Sequence, residues 1–174
     1  MNPGKNQQTK QWFAVYTRAR AEKKVFNDLK QQGIEAYLPL QRKLRMWSDR
    51  KKWVEMPMIS GYCFVRITRK EYDQVLYNVN VVRYVTFEGK AAVIRDSQID
   101  FLKRMLHETD VEVEVTHENF KPGQKVEVIA GPFIGMRGEL VESRGKHRFI
   151  LRIEQIETVF AIEIPQADLV LINE

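Results

Sequence analysis

The sequence predicts an α+β domain, an antiparallel sheet with helices on one side, followed by a small β-barrel. Three observations carry this. Between Trp12 and His107 the apolar residues switch between alternation and helical spacing, giving the order β-α-β-β-α-β-α. Beyond Lys125 every apolar segment has period two: Val126-Val128, Phe149-Leu151-Ile153, Phe160-Ile162-Ile164 and Leu169-Leu171. Turn residues punctuate them closely, at Pro122-Gly123, Gly131-Pro132, Gly135, Gly138 and Gly145, as a small barrel requires. Between these regions, Asp110, Glu112, Glu114 and Glu118 are scattered among valines with no helical stripe. The expected division is a disordered N-terminus over 1–11, an α+β domain over 12–107, a linker over 108–119 and a barrel over 120–174.

Trp12-Phe13-Ala14-Val15-Tyr16 alternates as a strand, with Trp12, Ala14 and Tyr16 on one face. Arg20 to Gln32 predicts a helix: Val25, Phe26 and Leu29 form its apolar stripe and Gly33 its C-terminal stop. Ile34 to Leu44 is extended, with Pro39 marking an edge or a bend. Arg42 to Trp53 predicts a basic hairpin arm turning at Ser48-Asp49, with Trp47 and Trp53 near its tip.

Met56 to Ile67 is the most apolar run in the chain. From Ile59 it alternates, placing Ile59, Gly61, Cys63, Val65 and Ile67 on a core face and Tyr62, Phe64 and Arg66 on the other. Two aromatics and an arginine are an uncommon load for a face that merely meets water. Thr68-Arg69-Lys70-Glu71 fits a capping box that opens a short helix with Tyr72, Val75 and Leu76 toward the core. Val81 to Phe87 predicts a strand that turns at Glu88-Gly89-Lys90 into Ala91 to Ile94. Asp96 or Ser97 then caps a helix with Ile99, Leu102 and Leu106 on one face.

A net charge of +5 and a pI near 9.3 suit a partner rich in phosphates or carboxylates. The single cysteine, Cys63, excludes an internal disulfide and reads as an inert buried thiol. The polar start has no signal-peptide core and no run reaches membrane-spanning length, so a cytoplasmic protein without a membrane partner is expected. His107, His117 and His147 stand far apart with no ligand spacing, and neither a nucleophile elbow nor a phosphate-binding glycine motif occurs. No enzyme activity, cofactor or metal is expected. The pattern is that of a binding protein.

Two stretches carry a family resemblance. Residues 122–140, with Gly123, Val126, Val128, Gly131, Pro132, Phe133, Gly135 and Gly138, look like a KOW motif, which implies an SH3-like barrel. Trp12-Phe13-Ala14-Val15-Tyr16 with its basic helix, Tyr37-Leu38-Pro39 and Gly61-Tyr62-Cys63-Phe64-Val65 resemble the N-terminal, RNP-like domain of the NusG family of transcription elongation and antitermination factors. Domain order and length match as well. The stretch Trp47 to Glu55 looks most like the UpxY-type specialised paralogs, antiterminators of surface-polysaccharide operons.

The resemblance implies a monomer that docks on the clamp helices of the largest RNA polymerase subunit and increases processivity. Carried over by motif position, the docking residues are Tyr16, Tyr62, Phe64, Tyr84 and Phe87. The plainer alternative is that these aromatics complete a core. Tyr84 and Phe87 differ in parity, so they share one patch only if the chain reorients Phe87. Arg18 and Lys24 stand where RfaH-type paralogs are expected to read non-template DNA, with Arg20 and Lys23 close by. Arg45, Arg50, Lys51 and Lys52 of the hairpin would reach the upstream duplex. Where NusG presents an apolar-aromatic-glycine-basic tip to the ribosomal protein NusE, this chain reads Glu154-Gln155-Ile156-Glu157-Thr158, which puts contacts with NusE and Rho in question. A stand-alone single-stranded RNA-binding protein, stacking bases on Tyr62 and Phe64, is the competing reading.

Overall fold

The computed structural model describes residues 9–107, 113–116, 122–143 and 145–173. The chain divides into two compact units, Met1–Asp96 and Ser97–Glu174. Of the expected disordered N-terminus, residues 1–8 lie outside the described residues, and Gln11 already belongs to the first strand.

The first unit is built on β1 (Gln11–Thr17), which lies in the middle of an antiparallel sheet. On one side it pairs with β5 (Tyr62–Ile67), and β5 pairs in turn with β2 (Glu35–Tyr37). On the other side β1 pairs with β6 (Val81–Tyr84) at its C-terminal end and with β9 (Val93–Ile94) at its N-terminal end. Helices α1 (Glu22–Gln31) and α2 (Tyr72–Leu76) cover one face. Their Val25, Leu29 and Val75 join Val15, Cys63, Val65, Ile67 and Tyr84 in a buried cluster, the face that alternation assigns to the core.

The expected capping box is present: Glu71 accepts from the Thr68 amide at 2.7 Å and from the Thr68 hydroxyl at 2.9 Å. Leu76, expected inside, is exposed, because α2 lasts little more than one turn and turns Tyr72 and Val75, as expected, but not Leu76 toward the sheet. The expected long strand from Ile59 begins only at Tyr62. Gly61 has φ +81°, a left-handed conformation that an extended run cannot contain, and it turns the chain into β5.

Pro39 separates β2 from β3 (Leu40–Met46), which forms a two-stranded arm with β4 (Lys51–Pro57). The turn closes with the Trp47 amide donating to the Arg50 carbonyl at 2.9 Å, around the expected Ser48-Asp49. Val81 to Phe87 is interrupted at Val85: β7 (Thr86–Phe87) leaves the sheet to pair with β8 (Lys90–Ala91).

The second unit holds α3 (Asp96–His107, from Ser97 onward) and a six-stranded antiparallel sheet. Its strands are β10 (Val113–Thr116), β11 (Gln124–Val128), β12 (Arg137–Ser143), β13 (Lys146–Ile153), β14 (Thr158–Ile162) and β15 (Leu169–Leu171), in the order β10-β14-β13-β12-β11-β15. Two features differ from the sequence reading. α3 groups with the barrel: Phe101 stacks on Phe149 with ring centroids 6.1 Å apart, and the Gln98 amide donates to the Arg152 carbonyl. Its buried residues are Ile99, Phe101, Leu102 and Met105, while Leu106 is only partly buried. In the expected linker, residues 108–112 and 117–119 lie outside the described residues, but Val113–Thr116 forms a strand paired with β14. The alternation of Val113 and Val115 about Glu114 suits an edge strand, a signal that the scattered carboxylates obscure.

Candidate partner-binding surfaces

The face of the first sheet opposite α1 and α2 carries the aromatic residues. Its positions follow from register: Tyr16 lies across from Tyr62, Ala14 from Phe64, Trp12 from Arg66, Tyr37 from Phe64 and Tyr16 from Arg83. Tyr16 and Tyr62 meet with ring centroids 4.9 Å apart, and the Arg83 guanidinium lies 4.8 Å above the Tyr16 ring. A cation over an aromatic face is attracted by the ring quadrupole and holds the ring in place. At the far end of this face Arg66 is engaged by Glu35 (3.7 Å) and Asp96 (4.0 Å). The Arg83 end is therefore the electropositive one.

The five aromatics expected to act together are divided. Tyr16 and Tyr62 share the face and are each half-buried. Phe64 shares it but is fully buried; it stacks on Tyr37 at 6.4 Å and offers no surface of its own. Tyr84 pairs with Val15 and so takes the helix face. There its ring stacks on Tyr72 at 3.9 Å, its edge meets Phe13, and its hydroxyl donates to the Tyr72 carbonyl at 2.9 Å. Burial raises the Tyr84 hydroxyl pKa well above its usual value. For this residue the plainer alternative holds: it completes a core. Phe87 lies beyond the break at Val85, half-exposed on the β7–β8 hairpin.

The loop before Tyr62 is fixed from below. The Gly61 amide donates to Glu22 Oε1 at 2.7 Å, and the Gly61 carbonyl accepts from the Thr17 amide at 2.9 Å. Glu22 is itself buried, an exceptional position for a carboxylate unless it is hydrogen-bonded. Cys63, next in β5, has its thiol pKa pushed up to about 12 by burial and then by the nearby Glu22 charge, so it stays an un-ionised core group. Arg83 and Glu22 are not marked in the sequence reading, and Tyr37 enters there only as part of the Tyr37-Leu38-Pro39 stretch. Arg83 could have been, as the lone cation of an otherwise apolar strand; Glu22 looks like any first-turn acid.

The basic residues occupy two surfaces. Arg18, Arg20, Lys23 and Lys24 are exposed at the start of α1. Arg18 Nε donates to the Val79 carbonyl at 2.9 Å, Lys23 Nζ donates to the Glu55 carbonyl at 2.8 Å, and Arg20 has φ +60°. On the arm, Arg45 lies directly across from Lys52 and Lys51 from Met46, with Arg50 in the turn. Lys43, Arg45 and Lys52 fall on one face of the arm, and Leu44, Met46 and Trp53 on the other, all exposed.

In the barrel the Gly131–Gly135 loop turns through left-handed glycines at both ends (φ +78° and +80°) and buries Phe133. Pro132 is exposed, and Val126 and Val128 are buried. Arg104 of α3 donates to the Pro132 and Ile134 carbonyls at 3.1 and 2.9 Å. Gly138 tolerates no side chain: a Cβ there would lie 2.5 Å from the Ile150 carbonyl oxygen and 2.6 Å from the Phe149 ring. At Gly123 it would lie 2.2 Å from the Leu140 carbonyl oxygen. Ile156 is buried, and Glu157 after it is left-handed (φ 49°).

Among the described residues no group of three or more histidine, cysteine, aspartate or glutamate side chains could hold a metal ion, and no helix is long and apolar enough to cross a membrane. An aromatic sheet face and two groups of exposed basic residues mark the first unit, and a glycine-shaped barrel the second. Residues 10–103 match the family described as "NusG: Transcription termination factor nusG", and the chain belongs to that family. It is a NusG-like transcription termination/antitermination factor. The transcription termination/antitermination proteins NusG of Streptococcus pyogenes serotypes M3 and M1 are each 26% identical over 169 residues, spanning 90% of this chain and 94% of the relative. The solved structure described as "Domain interaction in Thermotoga maritima NusG" shares the fold with a TM-score of 0.53 at 21% identity, covering 96% of this chain and 99% of that one.

Proposed function

We propose that this protein rides on RNA polymerase during elongation, docking the clamp helices against the sheet face that carries Tyr16 and Tyr62, and so increases processivity. The Tyr16–Tyr62–Arg83 cluster is the observation that supports this: two adjoining, half-exposed rings with a cation at one edge. Such a surface suits an amphipathic helix that brings an apolar stripe and an acidic flank. Phe64 serves beneath it as support, and Phe87 extends it from the neighbouring hairpin. Non-template DNA is the second partner of this reading, met by Arg18, Arg20, Lys23 and Lys24, with the arm on the upstream duplex. Arg45 directly opposite Lys52 disfavours the bare hairpin, since like charges across a strand pair repel, and a phosphate chain would relieve that repulsion. The operon-specific, UpxY-like role rests on the Trp47 to Glu55 stretch, and the buried Ile156 argues against a NusE contact through that loop.

The experiment is titration of a purified clamp-helix fragment with the wild-type chain and with a Tyr16→Ala/Tyr62→Ala variant shown to be folded. Binding that vanishes in the variant and resists moderate salt is the expected result. Wild type that ignores the fragment but binds polyuridine in a salt-sensitive way would replace this reading with RNA binding.

A further inference from the structure

β14 is buried along its whole length, and β10 runs along its outer edge. Four residues of β10 are described, each of them partly exposed, whereas β14 beside it is wholly buried. Without β10, strands β14-β13-β12-β11-β15 remain paired in order, with Val126, Val128, Phe149, Phe160 and Ile162 as their interior. A partly exposed strand at the rim, paired on one side by its sheet, belongs to the less stable part of a fold. The edge beneath it would present unpaired N–H and C=O groups to any extended chain.

The seat has a readable chemistry. Val113 lies across from Ile162 and Val115 from Phe160, so alternate positions are apolar. Glu114 lies across from Ala161 and forms an ion pair with Arg148 of β13, one strand further in. Arg148 is largely buried and, among the described residues, its Nε has no hydrogen-bond partner, so the charge there calls for a carboxylate. We infer that the β14 edge is a strand-acceptor site for an extended, valine-type partner segment carrying one acidic residue between two apolar ones, and that β10 holds this site in cis. A partner of that kind displaces β10 by adding its own strand, with main-chain bonds for affinity and Arg148 for selectivity. This inference stands apart from polymerase docking, which uses the other unit.

The test uses the full chain and a fluorescent peptide with the sequence of residues 111–118. Glu114→Lys sets a second cation against Arg148 and should free the edge. Those β14 amides that point toward β10 are expected to exchange at least tenfold faster, and the peptide to bind at least tenfold tighter than to wild type. Arg148→Glu should prefer a peptide with lysine at the Glu114 position. Combining the two substitutions should restore wild-type behaviour in both readouts. Should Glu114→Lys fail to fold, Val113→Gly/Val115→Gly loosens β10 without altering the barrel. Variants that melt like wild type, keep the β14 amides protected and take up no peptide would overturn the inference. So would a variant that pairs with its own copies and excludes the peptide.

Discussion

Tyr62→Ala separates docking from folding more cleanly than any other change to the aromatic face. Tyr62 is half-buried and its main ring partner is Tyr16, at 4.9 Å. An aromatic pair contributes about 0.5–1.5 kcal/mol beyond area burial, so the variant should lose about 1–2 kcal/mol from a total of roughly 5–15 and stay folded. At the centre of a docking patch the same truncation should cost about 2 kcal/mol or more, which at 1.4 kcal/mol per decade is roughly thirtyfold in Kd. Phe64→Ala behaves differently, because the ring is fully buried: about 3–5 kcal/mol of stability is at stake, and any binding loss would be confounded with unfolding. Tyr84→Phe is the matching control. It removes the hydroxyl that donates to the Tyr72 carbonyl, costs about 0.5–1.5 kcal/mol, and should leave binding unchanged. The assay is fluorescence anisotropy of a labelled clamp-helix fragment beside thermal melts by circular dichroism. If Tyr62→Ala binds within twofold of wild type, or Tyr84→Phe weakens binding as much, docking through this face is refuted.

Four further outcomes follow from particular contacts. Glu22→Ala leaves the Gly61 amide unpartnered below the Tyr62 strand and should cost about 1–3 kcal/mol in urea titrations. Gly138→Ala drives a methyl group into the Ile150 carbonyl and the Phe149 ring and should cost about 1–3 kcal/mol, read from the melting of the barrel unit. Glu71 holds its proton less readily than a free carboxylate, chiefly because it accepts from the Thr68 amide. Its stabilisation is complete above the ordinary glutamate value and fades as pH falls through the lower folded value, so Glu71→Gln should flatten the acid limb of the stability curve. Cys63, with its pKa pushed up to about 12 against an ordinary 9.0, stabilises the fold fully below pH 9 and loses that contribution as pH rises toward 12. At pH 8 an aromatic disulfide reagent should label it in urea within minutes and in the native chain only on the timescale of opening.

What was legible in the sequence is what alternation and turn chemistry dictate locally; what was not depends on where a strand stops. The two faces of β1 and β5 and the capping box at Thr68 follow from period and spacing alone, and the structure has them. Tyr84 shows the limit. Its parity relative to Tyr16 depends on register, and the β1–β6 register shifts between Tyr16 and Thr17, an irregularity that no single strand's pattern discloses. Arg83, adjacent in sequence, takes the place on the aromatic face that Tyr84 would have held. The surface is therefore cationic at one edge where resemblance implied another aromatic. A helix docked there should carry an acidic residue beside its apolar stripe, and reversing that charge should weaken binding to wild type more than to an Arg83→Gln chain, a coupling that an all-aromatic pocket would not produce.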